Sequence, residues 1–218
     1  MREAGVLIVL RHGESTANAA GLFTGVLDAP LSEQGIREAS GATALLNAAL
    51  PLDVPRVDAL PHLAASVTLF TSTLARARQT AAIVAAGLAR PPVGCDADWR
   101  LNERNYGALT GRSKDDVRTE ALSDVITRVD AFLTERVDPL LARGETVLVV
   151  AHGNSLRALC AVIDGLSDGQ IRDLNLPTGQ PLVYRFDARG RSVPFGGRYL
   201  DSVTALAAAL TLANEGGT

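Results

Sequence analysis

Aromatic side chains make up only 4% of the 218 residues, so the interior must be filled mainly by Ala, Leu and Val, which suits helices packed closely on a sheet. Cysteine is scarce: Cys95 and Cys160 are isolated, without the spacing of a metal site or redox pair, and read as two reduced thiols of a cytosolic protein. Basic charge is not in excess. The formal net charge of -3 argues against nonspecific nucleic-acid binding, which needs a positive surface. An anionic substrate would have to be drawn by a local basic cluster. Long apolar runs are missing too. The stretch after Met1-Arg2-Glu3 is too short for a signal-peptide core, and Val203 to Ala213 falls well below bilayer-spanning length. A soluble cytoplasmic protein without a membrane partner is expected. There is no His-Glu-x-x-His, no Gly-x-Ser-x-Gly and no Walker-type loop, which speaks against a catalytic metal, a serine hydrolase and a P-loop nucleotide site.

Hydrophobic content of 47% with 21% charged residues is that of a globular chain. Without repeats or a marked boundary, residues 1–218 read as one α/β catalytic domain. Its organising stretch is Val6-Leu7-Ile8-Val9-Leu10, an apolar run of strand length covered on both faces, which delivers Arg11-His12-Gly13-Glu14-Ser15. The pattern recurs where Val147-Leu148-Val149-Val150-Ala151 delivers His152-Gly153-Asn154-Ser155. In open α/β sheets ligands bind beyond the carboxyl ends of strands, so both histidines fall where a substrate would sit. Taken alone they admit core histidines, metal ligands, an acid/base pair, or a nucleophile and its stabiliser.

Between these strands, Ser32 is expected to cap a helix running to about Leu50, with Ile36, Ala39, Thr43 and Leu46 facing the sheet. Pro51 to Ala65 reads as an irregular loop in which His62 is a solvated side chain. Val67 to Phe70 is a strand, followed by a helix bearing Arg76, Arg78 and Gln79. Gly94 to Ala97 reads as a connection. A helical region is expected from Lys114-Asp115-Asp116 to about Arg143, with Leu122, Val125, Ile126, Val129, Phe132 and Leu133 as its apolar stripe. A helix follows Ser155, a strand spans Leu182 to Phe186 with a turn at Asp187 to Gly190, and a terminal helix covers Val203 to Leu212.

The arginines point to phosphate. Arg11 adjoins His12, Arg76 follows a strand end and Arg157 lies near His152, and guanidinium forks match phosphate oxygens. Cations around a histidine lower its pKa and keep it unprotonated, so a neutral imidazole can attack a phosphoryl group whose charge the arginines neutralise. Glu103 is placed to serve as general acid/base. Singly, Arg76 is an ordinary surface arginine, Glu103 a solvated carboxylate and Arg157 a helix cap or salt-bridge partner. Their joint occurrence with two strand-end histidines favours the site.

Leu10-Arg11-His12-Gly13-Glu14-Ser15 resembles the signature of the histidine phosphatase superfamily. Phe23-Thr24-Gly25, Leu31-Ser32-Glu33, the stretch from Leu101 to Gly107, the stretch from Ala151 to Leu159, and Asn175-Leu176-Pro177-Thr178-Gly179 resemble more narrowly the cofactor-dependent phosphoglycerate mutases. The resemblance implies a mostly parallel central sheet with helices on both faces, a three-layer sandwich. It implies His12 as the phosphorylated nucleophile, Arg11, Arg76 and His152 as its phosphate pocket, and Glu103 as the proton-transfer group. Ser15, Asn18, Thr24, Gly25, Tyr106, Lys114 and Asn154 match substrate- or phosphate-binding positions. The implied reaction interconverts 2-phosphoglycerate and 3-phosphoglycerate through a phosphohistidine primed by 2,3-bisphosphoglycerate, without a metal, in a family whose members often form homo-oligomers.

Two departures stand out. The family carries, after the lysine matching Lys114, a longer segment with an adjacent arginine pair that contacts substrate. Here Arg118 is followed at once by Thr119-Glu120-Ala121-Leu122 and the pair is missing, with Arg112 and Arg118 as the nearest replacements. The loop from Pro51 to Ala65 is longer than the family's. Arg198-Tyr199-Leu200 resembles the start of the mutase tail, a lid that protects a phosphohistidine from water and so favours mutase over phosphatase. The alternatives are a phosphomonoester phosphatase using the same phosphohistidine and a non-catalytic phospholigand-binding protein. Against the latter stands the complete set of Arg11, His12, Arg76, Glu103 and His152.

Overall fold

The computed structural model describes residues 5–22, 24–49, 67–106, 120–186, 190, 192 and 194–214. Its strands are β1 (Val6–Arg11), β2 (Val67–Thr71), β3 (Gly94–Ala97), β4 (Thr146–Ala151), β5 (Leu182–Arg185) and β6 (Arg198–Tyr199), in the spatial order β3-β2-β4-β1-β5-β6. The first four of that order run parallel, β5 runs antiparallel to β1, and β6 runs antiparallel to β5. The helices are α1 (Thr16–Ala19), α2 (Glu33–Ala49), α3 (Ala75–Gly87), α4 (Leu122–Phe132), α5 (Asp138–Ala142), α6 (Gly153–Asp164), α7 (Asp168–Asp173) and α8 (Ser202–Asn214). This is the mostly parallel, helix-covered sheet that the sequence implies. Among the described residues, no helix is long and apolar enough to cross a membrane.

β1 and β4 are uniformly apolar because both of their faces are covered. Successive residues alternate between two layers. Leu7, Val9, Val147 and Val149 pack with Phe132 of α4 and Leu156 and Leu159 of α6, whereas Ile8, Leu10, Leu148 and Val150 pack with Ala42 and Leu46 of α2 and Ala77, Ala81 and Val84 of α3. The scarce rings are concentrated in the first layer, where Phe70 and Phe132 meet edge-on with centroids 5.3 Å apart. Leu, Val and Ala side chains, with Ile8, fill the second, as the composition implies.

Register sets the site. Leu10 pairs with Val150 and Arg11 with Ala151, so the two central strands end at the same level and His12 and His152 emerge side by side.

Local chemistry accounts for most boundaries. Ser32 caps α2 as expected, its Oγ accepting from Gly35 N at 3.1 Å. Ile36, however, does not face the sheet: it is 49% exposed and lines a shallow apolar groove with Leu31, Gln79, Ala82 and Ile83. The inward position belongs to Gly35, whose Cβ, if present, would lie 2.0 Å from Glu14 O. Only glycine lets α2 come that close to the loop after His12. Gly94 to Ala97 is an edge strand rather than a connection. Its four residues are exposed and follow no apolar alternation, so backbone pairing with β2 alone defines it. The long helix begins at Leu122, after extended Ala121, and α4 passes through a π-helical turn (Leu133–Val137) into α5. Pro139 lacks the N–H that would bond to Glu135 O, which opens the helix there. The loop from Pro51 to Ala65 with His62, the start at Lys114, Arg112, Arg118, Phe23 and the turn residues 187–189 lie outside the described residues.

Candidate active site

The rings of His12 and His152 stand with centroids 4.8 Å apart at 61°, about the spacing of adjacent strands. Both are buried, at 3% and 0% exposure. His12 Nδ1 lies 2.6 Å from Gly13 O. A carbonyl can only accept, so Nδ1 carries the hydrogen and Nε2 the lone pair. Arg76 Nε donates to that lone pair at 3.1 Å. Burial, reinforced by Arg76 and Arg11, holds the His12 pKa well below its ordinary 6.5, so the imidazole is neutral. His152 is pushed down in the same way by burial and then by His12, Arg76 and Arg11.

Ser72, at the end of β2 and fully buried, was not legible as a site residue. Its Oγ accepts from Leu74 N at 3.2 Å and lies 2.6 Å from His152 Nε2. Among the described residues Nε2 is the one acceptor within reach of the Ser72 hydroxyl hydrogen, since Leu74 N can only donate; with a neutral ring, Ser72 donates to Nε2 and His152 carries hydrogen on Nδ1. Nδ1 of His152 and Nε of Arg11 are buried without a partner among the described residues. Two orphaned donors beside a neutral histidine fit an anion with several acceptor oxygens.

Arg11 is anchored through one guanidinium nitrogen to Leu176 O at 2.8 Å. Arg76 is fully buried, and its terminal nitrogens donate to Leu27 O at 2.7 Å and Gly25 O at 2.9 Å, so the arginine that reaches His12 also holds the loop carrying Thr24. Gly25 has φ +44, and a Cβ there would press on the Tyr106 ring at 3.2 Å. Thr24 is half-buried beside it. Tyr106 OH accepts from Asn154 Nδ2 at 2.7 Å. Half-buried Glu103 receives Arg104 N at 2.7 Å and Asn154 N at 3.3 Å, both on Oε1. It thus sits at the N-terminus of α6.

Ser15 and Asn18 form a capping box on α1, with Ser15 fully buried and its hydroxyl 2.7 Å from Asn18 Oδ1. Arg157 donates to Leu174 O at 2.6 Å and to Arg172 O at 3.4 Å, at the C-terminal end of α7, the capping use expected for it. Lys114 lies outside the described residues. The structure thus brings together Arg11, His12, Arg76, Glu103, Tyr106, His152 and Asn154, with Thr24 and Gly25 at the rim. No group of His, Cys, Asp and Glu suited to a metal ion occurs among the described residues.

In sequence and in fold the chain is similar to known proteins. The family described as histidine phosphatase superfamily (branch 1) matches residues 7–122 and 115–194. The 2,3-bisphosphoglycerate-dependent phosphoglycerate mutase of Clavibacter sepedonicus is 39% identical over 261 residues, covering 99% of each chain. Among solved structures, Bacillus stearothermophilus YhfR superposes with a TM-score of 0.71 at 25% identity, over 89% of this chain and 97% of its own. A mycobacterial glucosyl-3-phosphoglycerate phosphatase does so with a TM-score of 0.62 at 23% identity, over 83% and 92%. The chain belongs to the histidine phosphatase superfamily.

Proposed function

We propose that the protein is a 2,3-bisphosphoglycerate-dependent phosphoglycerate mutase that works through phosphorylated His12. The observation that carries the chemistry is the state of His12, a neutral imidazole with its lone pair on Nε2 inside a pocket of arginines. In the proposed step Nε2 attacks phosphorus in line, the N–P bond forms and the bond to the departing oxygen breaks. Arg11, Arg76 and His152 Nδ1–H take the charge on the equatorial oxygens. Glu103 gives its proton to the departing oxygen and takes one from the attacking hydroxyl in the return step. With two N–H groups on Oε1, Oε2 is the oxygen that carries it. Asn18, Thr24, Gly25, Tyr106 and Asn154, with Ser15 behind Asn18 and with Lys114, are assigned to the rest of the phosphoglycerate. The orphaned donors on Arg11 and His152 suit the phosphoryl group in transfer, and in this reading 2,3-bisphosphoglycerate supplies the one that first loads His12.

The full-length likeness to a curated mutase supports isomerisation over hydrolysis. One observation favours the second reading, a phosphatase with water as acceptor. The alignment to that mutase spans 261 positions against 218 in this chain, so the relative has segments this chain lacks, in keeping with the missing arginine pair. A coupled assay separates the two: 3-phosphoglycerate with catalytic 2,3-bisphosphoglycerate is expected to yield 2-phosphoglycerate with little free phosphate. Phosphate release without isomerisation would replace the mutase by the phosphatase, and binding without turnover would leave only a phospholigand-binding protein.

A further inference from the structure

Glu103 sits on a segment with no regular structure of its own. After the short 3-10 turn Trp99–Leu101, residues 102–106 are irregular, and their backbone groups need partners from elsewhere. One side chain supplies several. Arg128 of α4, with a side chain 9% exposed, pairs with Glu120 Oε1 at 2.7 Å. It also donates to Arg100 O, to Asn102 O at 2.8 Å and to Glu103 O at 3.5 Å. Glu120 continues the splint: its Oε2 accepts from Asn105 N at 2.9 Å, its N donates to Asn105 O at 2.8 Å, and its O accepts from Arg104 Nε at 2.6 Å.

A structural ion pair needs only the two charges. Here the other guanidinium nitrogens also reach the carbonyls of Arg100, Asn102 and Glu103, with Nη2 shared with Glu120 Oε2 at 3.3 Å, and Glu120 is tied to the backbone immediately after Glu103. We propose that Arg128, held by Glu120, is a positioning residue that sets where the Glu103 carboxyl stands relative to His12. The proposal rests on the reading of Glu103 as the proton-transfer group. Its force comes from geometry, since a displacement of about 1 Å in a catalytic group can cost on the order of 100-fold in rate.

The test compares two phosphoryl donors on the full chain. Loading of His12 from 2,3-bisphosphoglycerate expels an alkoxide and needs a proton from Glu103, whereas loading from p-nitrophenyl phosphate expels a stable phenolate and does not. Arg128→Ala is expected to slow the first about 100-fold and to leave the second within about 3-fold, with Arg128→Lys recovering only part because it lacks the fork. Glu120→Gln, nearly isosteric, should show the same selective loss more weakly and covers the case in which Arg128→Ala does not fold. Equal losses on both donors, or none, overturn the proposal. Glu103→Gln is run beside them. If it fails to discriminate the donors, the reading of Glu103 falls, a result separable from a failure of Arg128 alone.

Discussion

His12 and His152 occupy equivalent points of the fold, each following an apolar central strand and each preceding a glycine, yet they hold opposite tautomers. His12 faces a carbonyl, Gly13 O, which claims the hydrogen on Nδ1. His152 faces a hydroxyl, Ser72 Oγ, whose own proton goes to Nε2. One ring therefore offers a lone pair and its neighbour an N–H. The His-Gly dipeptide does not decide between nucleophile and stabiliser; the partner contributed by another part of the chain does.

The largest effects should break this symmetry. His12→Ala is expected to abolish phosphoenzyme formation and to lower turnover by more than about 10,000-fold, as removal of a covalent nucleophile does. His152→Ala removes one donor to the transferring group and should cost about 100- to 1,000-fold, with the label still found on His12. Quenched labelling with 32P donor followed by peptide mapping checks both. Label retained in His12→Ala, or mapped to residue 152 in the wild type, would exchange the two roles.

A smaller effect probes the tautomer itself. Ser72→Ala leaves the His152 ring in place but frees Nε2, and loss of one hydrogen bond worth about 1 kcal/mol is expected to lower kcat about 5-fold with KM unchanged. Nitrogen-15 shifts of His152 should move from a protonated Nδ1 toward a mixture, and Ser72→Thr, which keeps a hydroxyl, should restore the wild-type pattern. Unchanged shifts in Ser72→Ala would show that Ser72 does not set the proton.

Much of this site was legible because its parts lie in short contiguous runs. The apolar stretches before His12 and His152 identify buried parallel strands, and the signature around Glu103 places it among site candidates. What was not legible depends on contacts distant in sequence. Ser72 and His152 are 80 residues apart, and neither Ser72 nor Arg128 stands in a patterned motif. Gly35 was hidden for a related reason: a missing side chain has no periodicity, so Ile36 took its place in the apolar stripe. The edge strand β3 escaped because exposed backbone pairing leaves no pattern of apolar residues.

The last consequence of the comparison is thermodynamic and treats the two histidines alike. Burial, the leading cause for each, pushes both below the ordinary 6.5, so the native state excludes protons that the unfolded chain takes up. Between the folded and unfolded values the unfolded chain binds more protons, and stability must rise with pH across that window. The contribution is fully present above pH 6.5 and is lost as pH falls below it, at on the order of 1 kcal/mol per pH unit for each histidine. Urea unfolding at steps from about pH 7.5 to about pH 5.5 measures the slope around that ordinary titration range. The His12→Ala/His152→Ala double variant should lose most of that dependence. A double variant with the wild-type slope would mean that neither ring is held neutral by the fold, and the assignment of a lone pair to His12 at acidic pH would fall with it.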